Sequence, residues 1–564
     1  MSHATPRQIA DAHTRAYVEL DPITGTEYGL ASGDDRIPDY SPEWHEARAA
    51  LLRETLAGLT RASVASASSF SSVEDEAERR CARLLDERLK AELAVIEGGE
   101  GLRQISNLYS PVHAVREALT LMPTGTEDEW AVIARRLARV PEALAGYRAS
   151  LAEGLRRGLP AGPRQVRAVI EQLGGWLGGS SGRSWFADFV TPGPDVLRRD
   201  LDTGADAAAD AVAGLRTWLR TVYEPGVADA ADPVGRERYL RWARFWNGVD
   251  LDPEEAYAYG WSEMHRINAE MREAAGAILP GATPLEAMAH LEKRGEAVEG
   301  TEGILSWLQK LMDEAVERLD GSHFDLDPRI RTAEAVLAPP GTAPVPYYTP
   351  PAMDFSRPGR TWLPAQPGQS RFPTWDLVSV WYHEGVPGHH LQLAQWVLKA
   401  DQLSTYQATL GRVSANCEGW ALYAERLMDE LGHLTDPGHR LGYLNGQMLR
   451  AVRVIIDLGM HLSLKIPHDS GFHPGERWTP ELGREFLAAR TGLPAATLDS
   501  EHIRYLGMPG QAIGYKLGER AWLAGREAAR QAHGTAFDLR TWHMAALSQG
   551  SLGLDDLAAE LAAL

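Results

Sequence analysis

The sequence predicts a mostly α-helical fold with a small β-sheet beside a polar site. Three observations carry that expectation. Long stretches keep helical spacing and are dominated by Ala, Leu, Arg and Glu, all good helix formers. Capping side chains followed by a first-turn proline recur along the chain. One region, from His323 to Pro373, is instead rich in proline and poor in helical period.

The helix starts are Thr5-Pro6, Ser41-Pro42-Glu43, Asp252-Pro253-Glu254, Thr283-Pro284 and Thr479-Pro480-Glu481. In each, the polar side chain can accept from free backbone N–H groups, and the proline loses nothing by lacking its own. Helices are expected over 73–96, over 127–157 with an interruption at Pro141, over 254–278 and over 304–319. Within the proline-rich region, 329–337 and 360–363 read as short strands bounded by turns. An exposed strand edge there could bind an extended peptide by backbone pairing; a hairpin that only covers the core fits the pattern equally well. No fixed-period repeat stands out. Most of the 17 tryptophans are expected to anchor the core between helices. The 564 residues are expected to divide into a helical region 1–320, one wall of a cleft, and a region 321–564 that carries the strands and the site.

Charge narrows the partners. Lys and Arg total 57 against 77 Asp and Glu, a net of −20, which argues against nucleic acid or an anionic membrane as the main partner. The two cysteines, Cys81 and Cys417, form no C-x-x-C pair, so neither a cysteine metal site nor a disulfide framework is expected. The first residues have no apolar core of signal-peptide length, and no run of ~18 apolar residues occurs. A cytoplasmic protein without a membrane span is the expectation. Oligomeric state is not legible.

The chemistry gathers in TWDLVSVWYHEGVPGHHLQ, Thr374 to Gln392. Thr374 can cap a helix running to His383. A helical zinc motif, H-E-x-x-H, puts two histidines four residues apart on one face. Here that second position is Pro387. On a regular helix His389 would lie about 240° round from His383, and His390 about 10.5 Å along the axis. With Zn–N bonds of ~2.0–2.1 Å, neither could share an ion with His383. Pro387, however, lacks an N–H and would clash with the carbonyl of residue 383, and Gly385 and Gly388 permit unusual backbone angles. A bulge or kink between Glu384 and His389 would bring His389, rather than His390, beside His383. His390 is a candidate partner for the second nitrogen of a ligand imidazole.

A third ligand is expected from SANCEGWALYAERLMDELG, read as a helix over 417–431 ended by Gly432. Glu418 lies on its first turn and Glu425 two turns later; either could complete a His₂Glu set. Further on, Arg453, Asp457 and His461 recur at i, i+4 and i+8, one polar stripe. The stripe is either a solvent-facing ion pair or the lining of a cleft. In the second case His461 could donate to a developing oxyanion, Arg453 could hold a substrate carboxylate, and Asp457 would orient one of them.

HEGVPGHHLQ, EGWALYAE and RYLGMPGQAIGYKLG (Arg504–Gly518), with the proline-rich YYTPPAMDFSRPG run, resemble the bacterial family called domain of unknown function 885. That family is similar in fold to the carboxypeptidase Taq and neurolysin-like zinc peptidases. The resemblance covers at least the C-terminal 240 or so residues and implies an all-α, zincin-like fold with a central cleft. It implies His383, His389 and Glu418 as ligands of one Zn²⁺ and Glu384 as general base. Related peptidases place tyrosines near the zinc to stabilise the tetrahedral intermediate, which makes Tyr515 the first candidate and Tyr505 the second. Tyr505 and Tyr348 are also taken, with Arg453, as substrate-binding candidates.

The expected function is a zinc-dependent hydrolase of amide bonds acting on short peptides. Hydrolysis of a non-peptide amide or aminoacyl conjugate, a metal-binding scaffold without catalysis, and iron-based redox chemistry on the same ligands are the alternatives.

Overall fold

The computed structural model describes residues 4–30, 33–66, 73–179, 182–339, 345–366 and 368–564. It is mostly helical with a few short strands. All five capping signals operate. Thr5 and Thr283 form capping boxes, Asp252 and Thr479 accept from backbone N–H groups of their first turns, and Ser41 Oγ accepts from the Trp44 N–H at 3.1 Å. Helices span Val73–Glu97, Pro253–Ile278 and Thr301–Leu319. The run over 127–157 is two helices, Glu127–Leu137 and Val140–Arg156, with Pro141 in the first turn of the second, where its missing N–H costs nothing.

The chain divides into two compact units, Met1–Asp232 and Pro233–Leu564. Among the described residues the first unit holds helices only, around a core that includes Trp130, Leu137, Tyr147, Val166, Leu173 and Leu215. The division falls at residue 232, not 320, for a physical reason. The apolar stripes of Pro253–Ile278 and Thr301–Leu319 are buried in the second unit's core; the former lies along the long helix Pro437–Leu462.

The second unit carries every described strand: β1 (Ala297–Glu299), β2 (Ala333–Leu337), β3 (Tyr347–Thr349), β4 (Gly359–Leu363) and β5 (Arg371–Pro373). β4 is central to a three-stranded sheet, parallel to β2 and antiparallel to β3, with Ala333 opposite Gly359 and Tyr348 opposite Thr361. β1 and β5 form a separate antiparallel pair. The strand expected over 329–337 begins only at Ala333, because Pro328–Ile330 forms a 3₁₀ turn capped by Asp327. Trp381, Trp396, Trp420, Trp522 and Trp542 are fully buried in this unit. No helix among the described residues is long and apolar enough to cross a membrane.

Candidate metal centre

The helix Leu377–Glu384 has almost no solvent face: Val378, Ser379, Trp381, Tyr382, His383 and Glu384 are all buried. Its N-cap is Asp376, not Thr374. Thr374 continues the β1–β5 pairing instead, its N–H bonding the Glu296 carbonyl at 3.1 Å and its hydroxyl the same oxygen at 3.3 Å.

The helix stops at Glu384, and a new one, His389–Leu398, begins after a four-residue turn. The Val386–Pro387 peptide bond within it is cis. The Gly385 N–H closes the first helix on the Trp381 carbonyl at 2.9 Å, the Gly388 N–H reaches back to Tyr382 at 3.0 Å, and the His390 N–H bonds Gly385 at 3.1 Å. Gly388 is required by its close approach to backbone, whereas Gly385 lies against the end of a side chain. A Cβ on Gly388 would lie 2.0 Å from the His383 carbonyl oxygen, and one on Gly385 would lie 1.7 Å from Met312 Cε. Pro387 has no N–H to satisfy. The Pro387 and Gly388 carbonyls both accept from the Trp420 indole, at 2.9 and 3.1 Å. The expected kink is thus a complete helix break with its backbone groups accounted for.

The break turns His389 back onto His383. Their rings stand edge to face with centroids 4.7 Å apart. Glu418, on the helix Ser414–Glu430, places Oε2 3.4 Å from Nε2 of each histidine. One ligand atom from each of His383, His389 and Glu418 lies within 4.8 Å of the others. Tetrahedral geometry with bonds of ~2.05 Å puts neighbouring ligand atoms about 3.3 Å apart, and the two 3.4 Å separations from Glu418 Oε2 match that spacing. Two imidazoles and one carboxylate are also a donor set such an ion takes. His390 faces away, as its spacing requires.

Glu425, weighed above as a rival ligand, does a different job. Its Oε1 holds His383 Nδ1 at 2.7 Å, and its Oε2 accepts from the Ser379 hydroxyl at 2.8 Å. A carboxylate behind a ligand imidazole fixes its tautomer and leaves Nε2 to face the ion. His389 has no such support: its Nδ1 is buried without a hydrogen-bond partner among the described residues. Burial lowers the pKa of His383, but Glu418 and Glu425 more than offset it and raise it to about 9 in the metal-free protein. Glu384 is buried and accepts no hydrogen bond from a described residue; burial raises its carboxyl above the usual range, against the pull of His383 and His389.

Tyr515 arrives through a helix crossing. The helices Ser414–Glu430 and Gly514–His533 meet at Gly419 and Gly518, where a Cβ on Gly518 would lie 2.0 Å from the Ala415 carbonyl oxygen. That approach stacks the Tyr515 ring on His383 with centroids 6.4 Å apart and an angle of 16°. Arg504 Nη2 donates to the Tyr515 hydroxyl at 3.2 Å, and no described residue accepts the phenol's own proton. Tyr515 therefore retains a donor beside the ligands.

Four other candidates are committed elsewhere. Both nitrogens of His461 serve the backbone: Nε2 lies 3.0 Å from the Tyr505 carbonyl, and Nδ1 accepts the Val234 N–H at 3.3 Å. Burial depresses its pKa to about 4, so it is a neutral core histidine and not an oxyanion donor. Tyr505 donates to Glu501 at 2.6 Å and accepts from Arg453 at 2.8 Å; it positions those charges and has no hydrogen left for substrate. Tyr348, on β3, bonds His390 Nδ1 at 2.8 Å, while His390 Nε2 is held by the Ile330 carbonyl at 2.8 Å. His390 is thus a pin between sheet and helix, not a partner of a ligand imidazole, and Tyr348's hydroxyl is spent on it. The stripe Arg453, Asp457, His461 is not a solvent-facing ion pair; all three residues are buried.

Sequence reasoning missed Glu501, Arg504 and Arg450. Arg453 and Arg504 bind the two oxygens of Glu501 at 2.5 and 3.0 Å, and the guanidinium carbons of Arg450, Arg453 and Arg504 lie 5.8, 4.6 and 5.9 Å from the Tyr515 ring centre. The available signal was Glu501 and Arg504, three apart on a helix that also carries Leu498, Tyr505 and Leu506 inward.

A family model described as "Bacterial protein of unknown function (DUF885)" matches residues 22–561. No curated protein matches the chain. Two solved structures share its fold. "The crystal structure of the putative lipoprotein from Colwellia psychrerythraea" is 23% identical, with a TM-score of 0.82 over 99% of this chain and 98% of the other. "The structure of a putative lipoprotein of unknown function from Shewanella oneidensis" is 18% identical, with a TM-score of 0.71 over 99% and 100%.

Proposed function

The chain belongs to the bacterial family of unknown function DUF885, and we propose that this member is a zinc-dependent hydrolase of amide bonds in short peptides or other small amides. The observation that carries the reading is the convergence of His383, His389 and Glu418 beside an unbonded, buried Glu384. His383 Nε2, His389 Nε2 and Glu418 Oε2 would hold the ion. Zinc bound there supplies polarisation of a carbonyl and acidification of a water.

The chain's own residues supply the rest. Glu384, next in sequence to His383, is the general base. It accepts a proton from the attacking water and returns it to the leaving amine, a transfer favoured by a carboxyl whose pKa burial has raised. Tyr515 directs its uncommitted O–H toward the oxygen that gains charge, with Arg504 polarising the phenol from behind. Glu425 and Ser379 keep His383 in one tautomer. Trp420 fixes the turn that sets the spacing of the two histidines.

Glu384→Gln tests the reading. The variant is expected to bind one zinc per chain, measured by elemental analysis and competition with a chelator, and to hydrolyse no member of a peptide library that the zinc-loaded protein cleaves. Turnover by the variant would remove Glu384 from the mechanism. Absence of zinc binding by the parent protein would remove the reading altogether.

A further inference from the structure

The two arginines behind Tyr515 have one ion-pair partner between them. Arg453 and Arg504 share the single carboxylate of Glu501. All three are buried, with side chains 4–9% exposed. Burial of an unpaired charge is costly, and one of these two guanidiniums has no ion-pair partner of its own. Their hydrogen-bonding capacity is also unspent. Arg453 Nη1 and Arg504 Nε are buried with no acceptor among the described residues, as is Nε of the half-buried Arg450. A guanidinium left with free N–H groups in a rigid setting is a receptor for a planar anion. Rigidity is present here: Tyr505 clamps Arg453 and Glu501 together, and Gln511 accepts from Arg504 at 2.7 Å.

The location gives these unpaired N–H groups a use. Tyr515 is the shared neighbour: its ring lies against His383 on the metal side and 4.6 Å from the Arg453 guanidinium carbon. An anion held by Arg453 would therefore sit within one residue's length of the reacting carbonyl.

We propose that Arg453, with Arg504 behind it, is the subsite for the free α-carboxylate of the substrate, so that the enzyme removes the C-terminal residue or splits dipeptides and does not cut within chains. This rests on the hydrolase reading above. The reaction is plain hydrolysis. Water adds across the terminal amide, the C–N bond breaks, and the products are a shortened acid and a free amino acid.

The test compares two libraries of N-acetylated dipeptides with the same side chains, one ending in free acids and one in C-terminal amides. Zinc-loaded wild type is expected to cleave the acids with kcat/KM roughly 100-fold above the amides, the scale of losing a charged hydrogen-bond pair. Arg453→Gln should collapse that ratio toward unity, and Arg453→Lys should restore part of it. Equal cleavage of acids and amides by wild type overturns the subsite and leaves the hydrolase reading standing, with no variant needed. If neither library is cleaved the hydrolase reading falls. Affinity selection of the same libraries on the zinc-loaded protein then decides the subsite: enrichment of acids that Arg453→Gln abolishes supports it, and no enrichment overturns it.

Discussion

Replacing Gly388 by alanine is the sharpest probe of the turn that makes the site. The added methyl would lie 2.0 Å from the His383 carbonyl oxygen and 2.4 Å from that of Tyr382. Ordinary contact begins near 3.4 Å, so one of these backbone groups has to retreat by about 1.4 Å. Metal ligands tolerate displacements of only ~0.2 Å in bond length, and the carbonyl that must move belongs to the ligand residue itself. Strain of this kind costs roughly 1–3 kcal/mol, which a large core can absorb. The expected result is a folded protein that has lost zinc affinity by at least ~100-fold. Gly385→Ala is the internal comparison. Its methyl meets Met312 Cε and Sδ, the mobile end of a side chain, so Met312 can swing away and zinc binding should fall by less than ~10-fold. Chelator competition gives the affinities, and thermal melts without metal give the stabilities. Wild-type zinc affinity in Gly388→Ala would refute the claim that this close approach sets the ligand spacing.

Other outcomes follow from single contacts. Trp420→Phe strips the donor from the Pro387 and Gly388 carbonyls and should cost about 2–4 kcal/mol in urea unfolding. Tyr515→Phe should leave zinc stoichiometry unchanged and lower kcat by about 10²–10³-fold, the loss of one oxyanion donor; an unchanged kcat would free Tyr515 from that role. Asp457 gives a pH signature. Burial raises its pKa to about 7, against the Tyr239 hydroxyl and the Gly510 N–H, so the folded state binds a proton that the unfolded chain has released. The stability tied to that proton is present below about pH 4 and is lost as pH rises toward 7. Asp457→Asn should flatten this slope and gain on the order of 3 kcal/mol relative to wild type at pH 8 compared with pH 4; parallel pH profiles would refute it.

Local chemistry was legible in the sequence wherever one or two side chains decide the outcome. Thr5, Ser41, Asp252, Thr283 and Thr479, each before a first-turn proline, became caps, since capping needs only its own first turn. The break at Gly385–Gly388 was legible because Pro387 forbids the alternative. The three-residue strands were not, because alternation cannot register over so short a run and their pairing is set by distant partners. Periodicity put Arg453, Asp457 and His461 on one face but could not say what the face meets. Only Tyr239 and the stretch from Glu501 to Gly510, far off in the chain, make that face interior. Glu425 shows the same limit. Spacing brought it near the site, and only the 2.7 Å bond to Nδ1 showed on which side of the imidazole it stands.

In an H-E-x-x-H motif the pitch of one helix carries the coordinates of both imidazoles, and even an excised fragment inherits part of that spacing. Here the coordinates are stored elsewhere. The distance from His383 to His389 is written by a turn whose shape depends on an indole from Trp420 and a bond back to Tyr382. A segment cut from Thr374 to Lys399 would possess both imidazoles and none of the instructions for placing them. The ion would then join three separate helices and act as a late cross-link. Held at a thousandfold excess over its dissociation constant, it would add about 4 kcal/mol to the folded state. Coordination in this chain would be a product of the finished fold, and metal capture a sign that folding is complete.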